Sequence, residues 1–551
     1  MGVLRRTITS QRGVALVTML LLLSALTILS VGYIYVSSID TQLAGNMYQN
    51  SRAFYAAEAG VEKALSNIQS LLDGSGAMTD DDLAAILPPD IDDFSWEEFS
   101  VVRADSSFVD TVTTGPYQGM VSVNQPITIT SRVLGPRNSR YHIVVEVEGI
   151  QIPVFQFGVF YNDSLEIHNG PVMDFIGRIH TNSDLFLGTN STTWFHKMIT
   201  IAGDLYRFRI WNGETFGGSL MISDPDSNFV ALTYDSQTYA GNDEGFVTQT
   251  TADFNGRLRT RAHNITPLGM PIAAGLDPIE IIQRRIGGDD ASLVSERLDW
   301  KADTRIYADP SLSTVSIMNN DGNPKVLADP SAVYASYDAF YDDREGEWTD
   351  LMIIDVSKLT AADLGDGVIY VSIEEDPGRH KGIKLINAGS LPAPMTVASD
   401  NAIYIQGDYN TTSWQPSAIM GDAVILLSNS WVDADNANVS ANTQVASSTT
   451  YYLAMISGDT PNASAYNGGL ENFPRFLENW SGQTATIYGS MVNLFLSENA
   501  VGQWSYGDPV YRAPTRDWWF EVRFLDFNNL PPGTPSVGTV LRIAFRQEFF
   551  L

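Results

Sequence analysis

The chain has no cysteine in its 551 residues. No disulfide, thiolate metal site or cysteine nucleophile is open to it, so an exported part must be held by packing and strand pairing alone. Basic residues are scarce: 33 Lys and Arg stand against 64 Asp and Glu, a net charge of −31. Such a balance argues against a broad basic face for nucleic acid and fits solubility, divalent cations or cationic partners. There is no Gly-x-Ser-x-Gly, no phosphate loop and no His-Glu-x-x-His. Carboxylates are so abundant that no pair of them points to a glycosidase dyad. No catalytic constellation emerges, and the expectation is a protein that is not an enzyme and has no organic cofactor.

Long apolar runs are also missing, with one exception. Val14 to about Val36 is apolar without a Lys, Arg, Asp or Glu, and it follows a short leader carrying Arg5, Arg6 and Arg12 that ends at Gly13. Its 23 residues make about 34 Å of helix, enough for a bilayer core of roughly 30 Å. No further Lys or Arg occurs until Arg52, so the positive-inside tendency leaves the N-terminus cytoplasmic and exports the rest. Thr18, Ser24, Thr27 and Ser30 are the clearly polar side chains of the run, and hydroxyls that bond back to the preceding turn are tolerated in lipid. Beyond Ser37, Leu43, Met47, Phe54, Val61, Leu65, Ile68 and Leu72 recur at helical spacing, so the helix continues to about Leu72 with one apolar face. Ala53 with Ala57, and Ala56 with Gly60, are small-xxx-small pairs that allow close approach. Gly32 and Gly45 lower helix propensity inside the span and mark places where it can loosen.

This layout resembles the leader and stalk of a type IV pilin, and Arg52-Ala53-Phe54-Tyr55-Ala56-Ala57-Glu58-Ala59-Gly60 most resembles the PilX-type N-terminal domain of minor pilins, over roughly the first 70 residues. The resemblance implies prepilin peptidase cleavage after Gly13 and N-methylation of Val14. It implies packing of the helix with other pilins and minor pilins, first in the inner membrane and then in an extracellular pilus or periplasmic filament. Most of the family carries glutamate at the fifth mature position, where it neutralises the terminal amine of a neighbour. Here that position is Thr18, which resembles the rare, tip-located members.

The remainder reads as mainly β, giving an α+β chain with a long helix and a large β-rich exported domain. Residues 73–98 form an acidic, breaker-rich linker with one short helix begun by Thr79, and residues 99–154 a β-rich neck. From 155 to 275, short strands ending in Gly, Asn or Asp recur, with Leu185 and Leu205 in equivalent places. From 396 to 551 the series resumes with Ile403–Asp408 and Val424–Asn429. Steps near 20 residues predict β-solenoid-like coils; the alternative is an irregular β-sandwich. Residues 276–395 read as a mixed α/β insert, with a short helix over 277–286 and a hairpin over 305–327. The phrases Phe340–Glu345, Glu471–Trp480 and Asn529–Pro535 are distinctive and resemble the large domain found behind PilX-type N-termini.

Candidate ligands are few. His168, His180 and His196 fall in the first strand series and, with Asp184, would need to converge to hold zinc; His142, His263 and His380 are scattered. Calcium is the better metal candidate: Asp224, Asp226 and Asn228 alternate oxygen ligands, as do Asp433, Asp435 and Asn438, though both runs lack the downstream glutamate of a calcium loop and equally make solvated turns. Trp194, Trp211, Trp414, Trp431, Trp480, Trp504, Trp518 and Trp519 either pack the core or stack on surface or carbohydrate ligands. The function expected is that of a minor pilin-like subunit that primes or caps a filament and presents an adhesive head. The alternative is an inner-membrane-anchored β-solenoid enzyme or carbohydrate-binding protein of the envelope.

Overall fold

The computed structural model describes residues 12–75, 78–374, 378–436, 443–460, 469–504 and 510–548. A single helix, α1 (Arg12–Ser75), runs through 64 residues without a break, Gly32 and Gly45 included. No proline interrupts it. Its hydroxyls bond back one turn, Ser24 Oγ to the Leu20 carbonyl at 2.8 Å and Thr27 Oγ1 to the Leu23 carbonyl at 2.7 Å. Gly45 makes room for a neighbour, since a Cβ there would meet the Arg137 guanidinium.

The C-terminal half of α1 packs on an antiparallel neck sheet. Its strands lie in the order Ser95–Arg103, Val121–Leu134, Arg140–Pro153, Ser536–Glu548, with Phe108–Thr111 also pairing Val121–Leu134. Ala53, Ala57, Val61, Ala64, Ile68 and Leu72 are buried against Ile127, Ile129, Val133, Ile143, Val145 and Val147. Spacings of three and four put those residues on one helical face, and alternation puts their partners on one sheet face. The small residues admit the sheet rather than a second helix. Ser131 Oγ donates to the Ala57 carbonyl at 2.7 Å, and a Cβ on Gly60 would lie 2.6 Å from the Trp96 ring.

The neck is drawn from more of the chain than residues 99–154. Its first strand begins at Ser95, inside the stretch read as linker, and its last comes from the C-terminus. The edge of Arg140–Pro153 has backbone groups to satisfy, and Ser536–Glu548 satisfies them. The short helix Asp80–Ala84 starts at Thr79 as expected, with a capping box to Asp82.

Beyond the neck the chain coils. Val159–Tyr161, Ile179–Thr181, Ile199–Ile201 and Leu258–Arg259 stack in parallel; so do Leu165–Asn169, Leu185–Thr189 and Leu205–Tyr206, and likewise Met173–Phe175, Thr192–Phe195 and Ser219–Ser223. Leu165, Leu185 and Leu205 stand in register, each 20 residues on. The repeat extends into the turns, where Asn182 Nδ2 donates to Asn162 Oδ1 at 2.9 Å. A second series stacks Thr304–Ala308, Val368–Ile373, Met395–Ser399, Ser417–Gly421, Thr449–Ser457 and Thr484–Asn493 in parallel, with Glu347–Asp355, His380–Ile386, Ala402–Gln406 and Val424–Leu427 beside it. Parallel stacking of this kind, rather than the antiparallel layers of a sandwich, builds the head.

Among the described strands, the two series join in one sheet where Val159, Phe160 and Tyr161 pair in parallel with Met491, Val492 and Asn493. One 12-stranded sheet therefore runs the length of the head. The chain enters it in the middle, coils outward to Leu258–Arg259, crosses to the far end at Thr304–Ala308 and coils back to the seam. The crossing segment lies on the outer face of this sheet, with Ile279, Ile281, Leu293 and Leu298 clustered with Tyr370, Ala398, Met420 and Ile456. Much of the region read as an α/β insert thus belongs to the second stack. Long excursions such as residues 309–346 hide its period. Within the crossing segment a short 3₁₀ turn spans Pro278–Ile281. The hairpin joins Thr304–Ala308 to Val315–Met318, and residues 319–324 make a further turn closed by the Met318–Pro324 bridge.

Gly60→Leu must push Trp96 out of the helix–sheet contact and should lower the unfolding free energy by about 1–3 kcal/mol, measured by denaturant titration. Gly32→Ala, where nothing lies within 4 Å, should leave the midpoint unchanged or raised.

Candidate functional site

Among the described residues, the first half of α1 packs on no other part of the chain. From Val14 to Val36 every large apolar side chain is at least 55 % exposed. This helix is long and apolar enough to cross a membrane, and its apolar stretch is not buried in the chain. Apolar surface of this extent on a single helix needs a lipid or protein cover.

The expected site residues sit at its start. Gly13 and Val14 are in the first turns of the helix, while the leader before Arg12 lies outside the described residues. Thr18 is one turn on from Val14, and its hydroxyl lies 2.8 Å from the Val14 carbonyl and 3.0 Å from that of Ala15. It offers no charge to a neighbouring amine. Where the helix reaches the head, Arg52 pairs with Asp93 at 3.4 Å and stands over the Phe94 ring at 5.2 Å.

The other candidates are dispersed. His168, His180 and His196 do not converge. His168 Nδ1 is 2.6 Å from Glu166 Oε1, and His196 Nε2 is 2.8 Å from Asp174 Oδ1. His180 is fully buried in the 12-stranded sheet. Its Nδ1 lies 2.8 Å from Thr200 Oγ1 and its Nε2 2.8 Å from Asn182 Oδ1. Burial pushes the His180 imidazole down to about 4. Asp184 is elsewhere, accepting from the Asp204 amide at 2.7 Å. Among the described residues no group of three or more His, Asp or Glu is placed to hold a metal.

Of the calcium candidates, Asp224 closes its own turn, accepting from the Asn228 amide at 2.8 Å and from Asn228 Nδ2 at 3.1 Å. Asp226 and Asn228 are exposed beside it. Asp433 faces Lys384, and Asp435 follows in the 3₁₀ turn Asp433–Asn436; Asn438 lies outside the described residues. Of the tryptophans, Trp431, Trp480 and Trp518 are core residues, whereas Trp211 and Trp519 are 52 % and 40 % exposed.

Sequence reasoning missed a layer of buried charge on the outside of the second stack. Arg475 Nη1 lies 3.2 Å from Glu345 Oε1, which joins the phrases Phe340–Glu345 and Glu471–Trp480 in space. Lys381 and Lys384 are buried against Asp350 and Asp433. The signal was the density of charged residues inside otherwise aromatic phrases. The third phrase, Asn529–Pro535, carries the chain back to the neck, with the Pro535 carbonyl accepting from the Val154 amide at 3.0 Å.

Residues 12–62 match the PilX N-terminal family. The chain is type IV pilin-like at its N-terminus. No curated protein matches it. Among solved structures, the competence-associated pilin ComZ from Thermus thermophilus is similar at 10 % identity over 91 % of this chain and 97 % of its own, with a TM-score of 0.26. That likeness is too distant to bear on the head.

His180 is neutral in the folded state down to about 4 but titrates near its ordinary value of 6.5 when unfolded. Between those values the unfolded chain binds more protons, so this residue's contribution to stability falls as pH falls from about 6.5 to about 4. Against His180→Gln, the wild type should lose stability more steeply across that window, read as unfolding midpoints at each pH; parallel pH curves would refute the assignment.

Proposed function

We propose that the protein is a minor pilin-like subunit that primes or caps a type IV pilus or a related filament and presents its coiled head as an adhesive surface. The observation that carries this reading is the pairing of an unpartnered apolar half-helix with one very large head. Packed helices sit 8–10 Å apart, whereas a compact head of about 470 residues has a radius of gyration near 23 Å. Heads of that width do not fit on every helix of a tight shaft, so such a subunit belongs at an end or in an initiating complex. Thr18 agrees with this place, because a first subunit has no preceding amine to neutralise. The inner membrane is the first station, with the N-terminus cytoplasmic, and the prepilin peptidase and other pilins are the partners.

The processing step separates this reading from a permanently anchored envelope protein. Mass spectrometry of the protein from its native cell should find a chain beginning at methylated Val14, which reverts to the intact leader when the peptidase is deleted or Gly13 is replaced by Val. An unprocessed Met1 in wild-type cells would leave the anchor. Gold labelling of the head should mark filament ends, and labelling along the whole shaft at major-pilin density would overturn the tip assignment.

A further inference from the structure

On the outer surface of the head a slot separates the two stacks. Met173–Phe175 is the last strand of the sheet that continues through Thr192–Phe195 and Ser219–Ser223. Across from it, Thr515–Phe520 pairs with Thr484–Asn493 and, among the described strands, with no other. The two strand edges face each other without pairing, and Asp174, Phe175, Trp518 and Trp519 line one cavity between them. Side chains alternate on both edges. Phe175 and Trp518 are buried, whereas Asp174 and Trp519 point outward.

Trp519 ends an aromatic ladder. Tyr452, Tyr488 and Trp519 stand in register on three parallel strands. Their rings stack, Tyr452 on Tyr488 at 4.6 Å and Tyr488 on Trp519 at 6.3 Å. Arg523 closes the other end, its guanidinium 5.9 Å from the Tyr452 ring and 3.9 Å from that of Trp414. Trp519 Nε1 donates to Asp517 Oδ1 at 2.7 Å, which fixes the indole. Tyr488 covers one face of Trp519, so the other face is turned to the slot, and the residue is 40 % exposed. On the far side, Trp194 is the strand partner of Asp174 and is braced edge-on against Phe229 at 4.8 Å. Asp174 thus stands between two indoles, with Oδ1 2.8 Å from His196 Nε2 and its side chain 45 % exposed.

We propose that this slot binds one pyranose ring of a neutral surface glycan, with a C–H face of the sugar on Trp519 and its hydroxyls on Asp174. A pyranose carries C–H bonds on its faces, which suit an indole, and hydroxyls around its rim, which suit a carboxylate acceptor. Asp174 is one strand spacing, about 4.8 Å, from Trp194 and lies across the unpaired gap from Trp519. A ring can therefore lie over the carboxylate between the two indoles. The ladder, Asp517 and Phe229 hold both indoles in place before a ligand arrives, which lowers the ordering cost of binding. Asp174, Asp517 and a net charge of −31 oppose anionic sugars. The assignment rests on the reading of the head as an adhesive surface and gives that surface a ligand class.

The test is titration of the full chain in detergent micelles, followed by calorimetry and tryptophan fluorescence. The probes are hexaoses of glucose, N-acetylglucosamine, mannose and galactose, with choline and oligogalacturonate beside them. The expected result is saturable binding of at least one neutral hexaose, weakened about tenfold by Trp519→Ala or Trp194→Ala. Asp174→Asn removes only an exposed ion pair, so it should keep the unfolding midpoint and still weaken binding about tenfold. Trp211→Ala, 52 % exposed in the turn closed by Arg209 and Glu214, should bind as the wild type does. Failure of every neutral hexaose to bind overturns the proposal, as does binding that all three slot variants retain, or choline or oligogalacturonate bound instead. Adhesion of piliated cells, measured in parallel, separates the two readings. Adhesion kept by Asp174→Asn overturns the slot and leaves an adhesive head, whereas non-adherent wild-type filaments with sugar binding intact overturn the adhesive reading alone.

Discussion

The head depends on a strip of backbone three residues wide. Val159, Phe160 and Tyr161 pair with Met491, Val492 and Asn493, and this pairing alone among the named strands makes two coil series into one sheet. It joins parts of the chain more than 300 residues apart, so the entropy of closing that loop has to be met at once. The surroundings show how it is met. Ser490 Oγ donates to the Phe157 carbonyl at 2.6 Å, the Asn162 amide to the Asn493 carbonyl at 2.8 Å and the Met491 amide to the Gly158 carbonyl at 3.0 Å. Phe157, Phe160 and Val492 are essentially fully buried there. Because the first series enters at the seam, neither end of the stack is a chain end. At one end the sheet finishes in the hairpin strand Val315–Met318, which is only partly buried.

The same economy governs the neck. The chain leaves α1, makes the neck sheet, builds the whole head, and returns as Ser536–Glu548 to complete that sheet. Gln69 of α1 accepts from the Val540 amide at 3.1 Å, and Glu62 pairs with Arg542 at 2.5 Å. The helix thus grips the last strand as well as the first ones. A pull on the helix is shared between the two points where the chain enters and leaves the head.

The helix was legible in the sequence because its signals are local. Apolar spacing, Ala53, Ala57 and Gly60, and the Thr79 cap each depend on a few neighbouring residues. The 20-residue period was legible where strands follow one another without excursions, as from Leu165 to Leu205. It was lost between residues 276 and 395, where successive strands of the long sheet are as far apart as Thr304 and Val368, and it was legible again from Ile403 to Val424, which pair one coil on. The seam was not legible at all, since pairing between Val159–Tyr161 and Met491–Asn493 leaves no trace in spacing. The histidine cluster failed for a geometric reason. His168, His180 and His196 belong to or adjoin different strand stacks, and a 20-residue period brings together residues 20 apart, not those 12 or 16 apart.

The buried cations explain how so acidic a chain stays compact. Arg297, Arg305, Arg344, Lys381, Lys384 and Arg475 are all under 9 % exposed. Several of them pair with buried carboxylates, as Arg475 does with Glu345 of an excursion and Lys381 with Asp350 of the neighbouring strand. Eleven Asp and Glu are buried among the described residues against these six cations, and the exposed surface is still acidic because acids outnumber bases by 64 to 33 in the chain. Like-charged heads repel over roughly one Debye length, about 8 Å at physiological salt. Two copies side by side on adjacent helices would meet steric and electrostatic opposition together. In the end placement proposed above, a single copy would meet neither.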